Sequence, residues 1–472
     1  MISKIKYATE SKDKFSLYII LFIFEVIGVQ AEYVPFNQLP SQKIDFLYAN
    51  KSYPNKPVNG IFVPIGPPDT QSWKNTDLSQ LVENQSLSFD LINTLKFYLS
   101  DKCHSHLENE SYDTYERLIF SASFQGNTPI INIYLQNFKK ILTQQMNLQT
   151  LSLWPENKKA TFILSHDVDE PEKYSLTKLA YALLPSKKGL KNTLRHYKNY
   201  FAAVYYLIFT KKSKEYWLFE EILDSEKKYN FKSTFFFASI RKNKKWGNQY
   251  DVPYNIRTRK FKNVFKKIRK NGFEISLHAS YQAYQNKTHF LYEKQLLSEL
   301  SEGPVRGVRH HYWHLSRDYL TTIERQVEAG LEYDSSLAFN DHPGFRFHIA
   351  LPFQLFNEQT DNLISSLQIP TFCMDGNIFY TKPNFNDAIA QIKHYINIII
   401  DTEGVGAFDW HVRTSFPKSI EFWEWGLAYQ ETLKILAETP DVWVTNFESV
   451  LDWWGERRKK LDLDYHAINY SQ

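Results

Sequence analysis

From Thr161 onward, short apolar runs alternate with longer stretches whose apolar residues recur every three or four positions. The runs TFILSHD, STFFFAS, FEISLHAS, VRGVRHHY, SLQIPTF, GVGAFDWHV and DVWVTNF predict seven strands. Most are separated by segments with helical spacing, such as NVFKKIRKNG and DYLTTIERQVEAG. Strands alternating with helices predict an α/β fold built as a parallel barrel. In such barrels, residues that carry chemistry collect at the C-terminal ends of the strands.

Residues 1–154 read as a smaller mixed α/β domain that precedes the barrel domain of residues 155–472, with the boundary at WPENKKA. A helix is expected near 13–28, a strand at GIFVPIG, and helices through LSFDLINTLKFYLSD and PIINIYLQNFKKILTQQM. The apolar core Leu17 to Phe24 of the first helix is stopped by Glu25, too short to span a membrane. An amphipathic helix packed in a domain is the favoured reading, and a signal peptide the alternative, because VIGVQA only loosely offers a cleavage site. No catalytic constellation stands out in this half, and its role is unassigned.

Composition narrows the classes. Hydrophobic residues make up 43% and aromatics 16% of the 472 residues, as in a folded globular protein with room for aromatic-lined grooves. A net charge of +4 is too mild for a nucleic-acid partner. Basic residues do cluster: Ser186 to Trp217 holds eight Lys/Arg against Glu215, and Arg241 to Lys270 holds twelve against Asp251. A solvated surface is the plain reading of both. The run YKNYFAAVYYLIF inside the 186–217 insertion gives a sharper one, peripheral contact with a membrane surface. Two cysteines, Cys103 and Cys373, form neither a disulfide framework nor a cysteine zinc site, which suits a reducing compartment. The expected location is cytoplasmic, at the inner membrane face if the insertion binds there, or exported if the N-terminal run is a signal peptide.

The candidate chemistry sits where a barrel would place it. Side chains alternate across a strand, so Asp167 and Asp169 share one face at the end of TFIL while His166 faces away. His278 ends FEISL; VRHHYWH supplies Arg309, His310, His311, Tyr312 and His314; in FDWHVRT, Asp409 and His411 share a face. Metal-assisted hydrolysis requires such a set: ligands for a cation, a base for the attacking water, and an acid for the leaving group. Taken singly each piece is ordinary, and their shared position and order carry the weight.

The set resembles the polysaccharide deacetylase family, carbohydrate esterase family 4, whose NodB homology domain folds as a distorted (β/α)7 barrel. SHDVD resembles the first motif of that family, SLHASYQ the second, VRHHY the third and DWHVRT the last. The resemblance runs from about 161 to 456, with framework segments STFFF, GLEYDSSLAFNDHPGFR and PTFCMDGNIFY, and more weakly includes the preceding α/β domain found in one subgroup. It implies Asp167 as general base, Asp169 and His278 as ligands of a divalent metal (zinc by expectation), Arg309 as the residue that orients the base, the Tyr312 backbone N–H as an oxyanion donor and His411 as general acid. The implied substrate is an N-acetylated glycan, and the implied reaction is removal of its acetyl group.

Two departures qualify this. Gln282 stands where the second motif has its second His, and His310 stands where the third motif has Pro. Catalytic zinc usually keeps three protein ligands. His311 is the best candidate for the third, with His310 and His166 behind it. Asp375, after SLQIPTF, and Trp410 are expected at the substrate, although Asp375 serves equally as a loop cap. Asp334 and Arg346 read as structural, and the aromatics of FWEWGLAY as a helix packed on the barrel. Gln282 motivates an alternative of another class, a catalytically degenerate barrel that binds saccharide or acts as a scaffold. A hydrolase of other non-peptide C–N bonds uses the same residues.

Overall fold

A computed structural model describes residues 2–41, 44–53, 58–74, 77–104, 111–115, 117–119, 126–173, 204–205, 215–242, 244, 246–465 and 468. Most of the 186–217 insertion, expected at a membrane surface, lies outside the described residues. Among the described residues, no helix is long and apolar enough to cross a membrane.

The first sheet contains β1 (Lys4–Thr9), β2 (Gln30–Tyr33), β3 (Ile44–Ala49), β4 (Val58–Pro64), β5 (Val82–Glu83) and β6 (Ser86–Leu87), in the order β2-β1-β3-β4-β6-β5. Its pairings are parallel except β5 with β6. Helices α1 (Lys14–Ile27), α2 (Leu91–Leu99) and α3 (Ile130–Met146) pack with it. Asp13 caps α1 by accepting the Ser16 N–H, and Gly28, at φ 90, ends it. The sequence predicts an amphipathic α1, yet it is buried on nearly every side. Even Glu25 is fully buried, because Arg458 and the Tyr465 hydroxyl both donate to its carboxylate.

A short hairpin, β7 (Ser111–Tyr112) with β8 (Leu118–Ile119), precedes the second sheet. That sheet comprises β9 (Ala160–Val168), β10 (Ser233–Phe237), β11 (Glu274–Ala279), β12 (Gly307–His310), β13 (Tyr333–Asp334), β14 (Phe353–Asn357), β15 (Asn362–Gln368), β16 (Thr371–Met374), β17 (Val405–Asp409) and β18 (Val442–Thr445). Its order is β14-β15-β13-β12-β11-β10-β9-β17-β16, with β18 paired to the first half of β9. All pairings are parallel except β14 with β15. Outside it lie α4 (Phe219–Lys227), α5 (Arg259–Lys270), α6 (Lys287–Ser301), α7 (Tyr319–Glu328), α8 (Asp375–Thr381), α9 (Phe385–Asp401), α10 (Trp423–Glu438) and α11 (Phe447–Lys460).

The seven-strand reading is corrected in detail. SLQIPTF supplies two strands, β15 paired with β13 and β16 paired with β17, divided at Ile369–Pro370. Proline has no N–H to give a ladder and restricts the residue before it, so pairing stops there. The chain, and not a hydrogen-bonded ladder, therefore joins β15 to β16, and among the described strands the curled sheet does not close as a regular (β/α)7 barrel. Gly307 permits the curl at β12, because a Cβ there would lie 1.8 Å from the Tyr333 ring.

The two sheets share one apolar core. Phe15 of α1 stacks on Phe356 of β14 at 4.7 Å, and the Gln354 N–H donates to the Tyr18 hydroxyl at 2.9 Å. Trp154, at the crossing between the halves, is itself fully buried beside Trp454.

Candidate metal centre and its pocket

Alternation along β9 decides which side chains face the interior of the curled sheet. Ser165, Asp167 and Asp169 point inward, and His166 and Val168 point to the outer helices. His166 is accordingly spent outside: Nδ1 lies 2.8 Å from the Trp410 carbonyl and Nε2 2.7 Å from Glu226. On β12, Arg309 points inward and His310 outward, edge-on to Phe290 of α6. Neither His166 nor His310 reaches the pocket.

Arg309 is fully buried and binds in five directions. Its Nη1 donates to Asp167 Oδ1 at 2.9 Å and lies 3.1 Å from Asp409 Oδ1. Nη2 donates to Ser165, Ser335 and Thr371 at 2.9, 3.0 and 3.0 Å. Burial opposes ionisation of Asp167, but His278 and Arg309 outweigh it and hold its carboxyl below the ordinary range. Asp409, in the same grip, is pushed up to about 8 by burial and by the Asp167 charge. Asp167 and Asp409 thus face one guanidinium, which favours the negative charge on Asp167.

Asp169 stands among three imidazoles. Its Oδ1 is 3.1 Å from His278 Nε2 and 3.4 Å from His311 Nε2, and its Oδ2 is 3.1 Å from His411 Nε2. His278 Nδ1 donates to the Arg309 carbonyl at 2.9 Å, which turns the Nε2 lone pair toward the pocket. Asp169, His278 and His311 each offer one ligand atom within 4.8 Å of the others. Asp169 Oδ1 and His278 Nε2 are buried without a hydrogen-bond partner. Ligands at about 2.0–2.2 Å from one tetrahedral ion lie roughly 3–4 Å from each other, so the donor set fits a small divalent cation. Burial raises the Asp169 carboxyl, yet His311 and His411 carry it well below its usual range.

The third donor of this candidate set, His311, opens the turn after β12. Tyr312, at φ 57 and ψ 14, and Trp313, at φ 52, occupy the left-handed region, a costly one for bulky residues. This turn follows directly on His311, which returns to the pocket on the Arg309 face. Gln282 is not among the residues lining the pocket.

Of the two expected substrate contacts, Trp410 lies outside the pocket and Asp375 lines it with its oxygens already engaged. Trp410 is fully buried against Tyr429 and does not line the pocket. It directly follows β17, between Asp409 and His411, and continuing the alternation of that strand sends it outward. Asp375 does line the pocket, but its oxygens are taken: it accepts from the His411 N–H at 2.9 Å, pairs with His411 Nδ1 at 2.9 Å, and accepts from Gly376 and Thr414. It positions His411. Burial would lower the His411 pKa, but Asp375 and Asp169 overcome that and hold it well above the ordinary value. Asp334 accepts from Ser336, and Arg346 pairs with Asp101, both structural as expected.

The pocket, about 400 Å³, also takes in residues that sequence reading leaves out. Arg413 reaches within 3.9 Å of Asp169, on the inward face that Asp409 and His411 already marked. Phe422 and Trp425, read as outer helix packing, form part of the wall. Tyr115 and Arg117 come from the N-terminal half, where no local pattern signals a site. Tyr115 stacks on Tyr312 at 4.5 Å and its carbonyl accepts the Tyr281 hydroxyl at 2.9 Å.

No family model matches the sequence, and no curated protein does. Solved structures that align with this chain include polysaccharide deacetylases. A protein assigned as one from Mycobacterium smegmatis aligns over 65% of this chain and 93% of its own, at 15% identity and TM-score 0.42. Another, from Pseudomonas aeruginosa PAO1, aligns over 67% and 97%, at 14% identity and TM-score 0.42. A mutant of a pseudoenzyme of carbohydrate esterase family 4 aligns over 65% and 73%, at 12% identity and TM-score 0.32.

Proposed function

We propose that the protein is a metal-dependent hydrolase that removes N-acetyl groups from amino sugars of a polysaccharide or glycan precursor. The observation that carries this reading is the convergence of Asp169, His278 and His311 on one point, with Asp167 on one side and His411 on the other. A divalent cation held there, zinc by its imidazole and carboxylate ligands, supplies Lewis acidity to the acetamide carbonyl and acidifies a water.

The remaining chemistry belongs to the chain. Asp167, kept ionised by Arg309, takes the proton of the attacking water. The Tyr312 backbone N–H, next to His311, donates to the developing oxyanion. His411, protonated under the influence of Asp375, gives its proton to the departing amine. Acetate and a free amino sugar leave. Gln282 motivates the alternative of a degenerate scaffold; His311, whose ring nitrogen lies within ligand distance of Asp169 and His278, supports the catalytic reading.

The test is acetate release from a panel of N-acetylated oligosaccharides by protein of measured metal content. Release that Asp167→Asn abolishes is the expected result. No bound metal and no release across the panel overturns the reading.

A further inference from the structure

The pocket does not end at the metal centre. Arg117, Trp313 and Asn340 line both it and a second cavity of about 140 Å³. That cavity lies between the N-terminal half, which supplies Asp101, Tyr112 and Arg117, and the loop after β12, which supplies Arg317.

Its charges are unevenly matched. Arg346 is paired through both of its terminal nitrogens with Asp101, and Arg117 is paired with Asp113 at 2.7 Å. Arg317 is exposed, lies 4.5 Å over the Tyr112 ring, and has no carboxylate partner among the described residues. At the junction, Asn340 Oδ1 is buried without a hydrogen-bond partner. A buried amide oxygen left open costs free energy unless a donor completes it, and a sugar hydroxyl or acetamide N–H is such a donor.

We propose that the second cavity is a subsite for the sugar next to the one being deacetylated, and that this sugar carries an anionic group met by Arg317. The proposal rests on the deacetylase reading for the identity of the neighbouring site. It makes the substrate an acidic glycan. A uronate carboxylate and a phosphate ester share the required chemistry, because the planar guanidinium fork donates to the oxygens of either. The N-terminal half then has a role: it builds one wall of the subsite and selects the substrate.

The experiment measures equilibrium binding to the full-length protein carrying Asp167→Asn, which blocks turnover. Three probes are compared: a neutral N-acetylglucosamine tetrasaccharide, a tetrasaccharide alternating N-acetylglucosamine with glucuronate, and a 6-phosphorylated N-acetylglucosamine disaccharide with its unphosphorylated parent. At least one anionic probe is expected to bind about tenfold tighter than its neutral counterpart. Arg317→Ala should erase that preference, Arg317→Lys should keep part of it, and added salt should weaken it. The preferred probe tells carboxylate from phosphate. No preference, or a preference that Arg317→Ala leaves intact, overturns the subsite. Arg317-dependent binding without acetate release from any probe by the wild-type protein keeps the subsite and defeats the deacetylase reading. Acetate release without charge preference does the reverse.

Discussion

His411 is joined to Asp375 twice: its ring Nδ1 and its backbone N–H both meet that carboxylate at 2.9 Å. The double contact fixes the ring rotamer and leaves Nε2 aimed into the pocket, 3.1 Å from Asp169. Because the carboxylate is fully buried, its charge acts on the imidazole with little screening.

That relationship has a pH signature. Asp375 raises the His411 pKa, and in the proposed reaction the protonated ring is the acid, so activity is expected below that pKa and is lost as pH rises through it. Asp375→Asn lowers the pKa and moves the alkaline limb of the rate profile to lower pH, with kcat falling roughly 10²–10⁴-fold. A pH–rate profile, with circular dichroism as a check on folding, measures it. An unmoved alkaline limb contradicts the assignment.

His311 is expected to carry the metal where Gln282 does not. Loss of a mere supporting residue costs about 10–100-fold in metal affinity, so loss of a ligand should cost at least that. Competition with a chelating dye on His311→Ala and Gln282→Ala gives the comparison. Weakened binding in the first and wild-type binding in the second is the anticipated pattern; equal binding in both removes His311 from the ligand set.

Arg309 holds two buried carboxylates and three hydroxyls. Replacing it by Met leaves Asp167 buried without its cation, at a cost of roughly 3–5 kcal/mol. Urea denaturation reads this directly. A change below about 1 kcal/mol would mean that the charge of Asp167 is balanced elsewhere.

Much of this centre is legible in the sequence, since alternation along β9, β12 and β17 sorts inward from outward residues. It separates Asp167 and Asp169 from His166, and Arg309 from His310. Applied consistently, it also removes Trp410 from the pocket, because that residue lies between the inward Asp409 and His411. Pro370 carries the local signal that splits β15 from β16. Asp375 reads from sequence as a contact or a cap; its work beneath His411 depends on where α8 begins beside β17. Tyr115 and Arg117 are the illegible part. They reach the pocket through long-range packing of the hairpin after α2, and no short motif encodes such contact.

A second titration lies behind β11. Glu293 is fully buried and accepts from the Ser280 hydroxyl at 2.6 Å, and burial pushes its pKa up to about 8. A raised folded-state pKa gives stability that is present below the unfolded carboxyl pKa and declines as pH rises toward 8. Glu293→Gln cannot ionise, so relative to wild type it should gain stability between pH 5 and pH 8 by roughly 2–4 kcal/mol. Thermal denaturation at the two pH values checks the sign; a constant difference contradicts the buried, protonated carboxyl.

In the proposed mechanism Asp169, His278 and His311 hold a cation that serves hydrolysis. Acetate release from an N-acetylated oligosaccharide, followed through chelation and zinc reloading of one preparation, reads that role. The expected result is release that stops on chelation, returns on reloading, and does not return in His311→Ala. Release that persists in the chelated protein, or full recovery in His311→Ala, would contradict it.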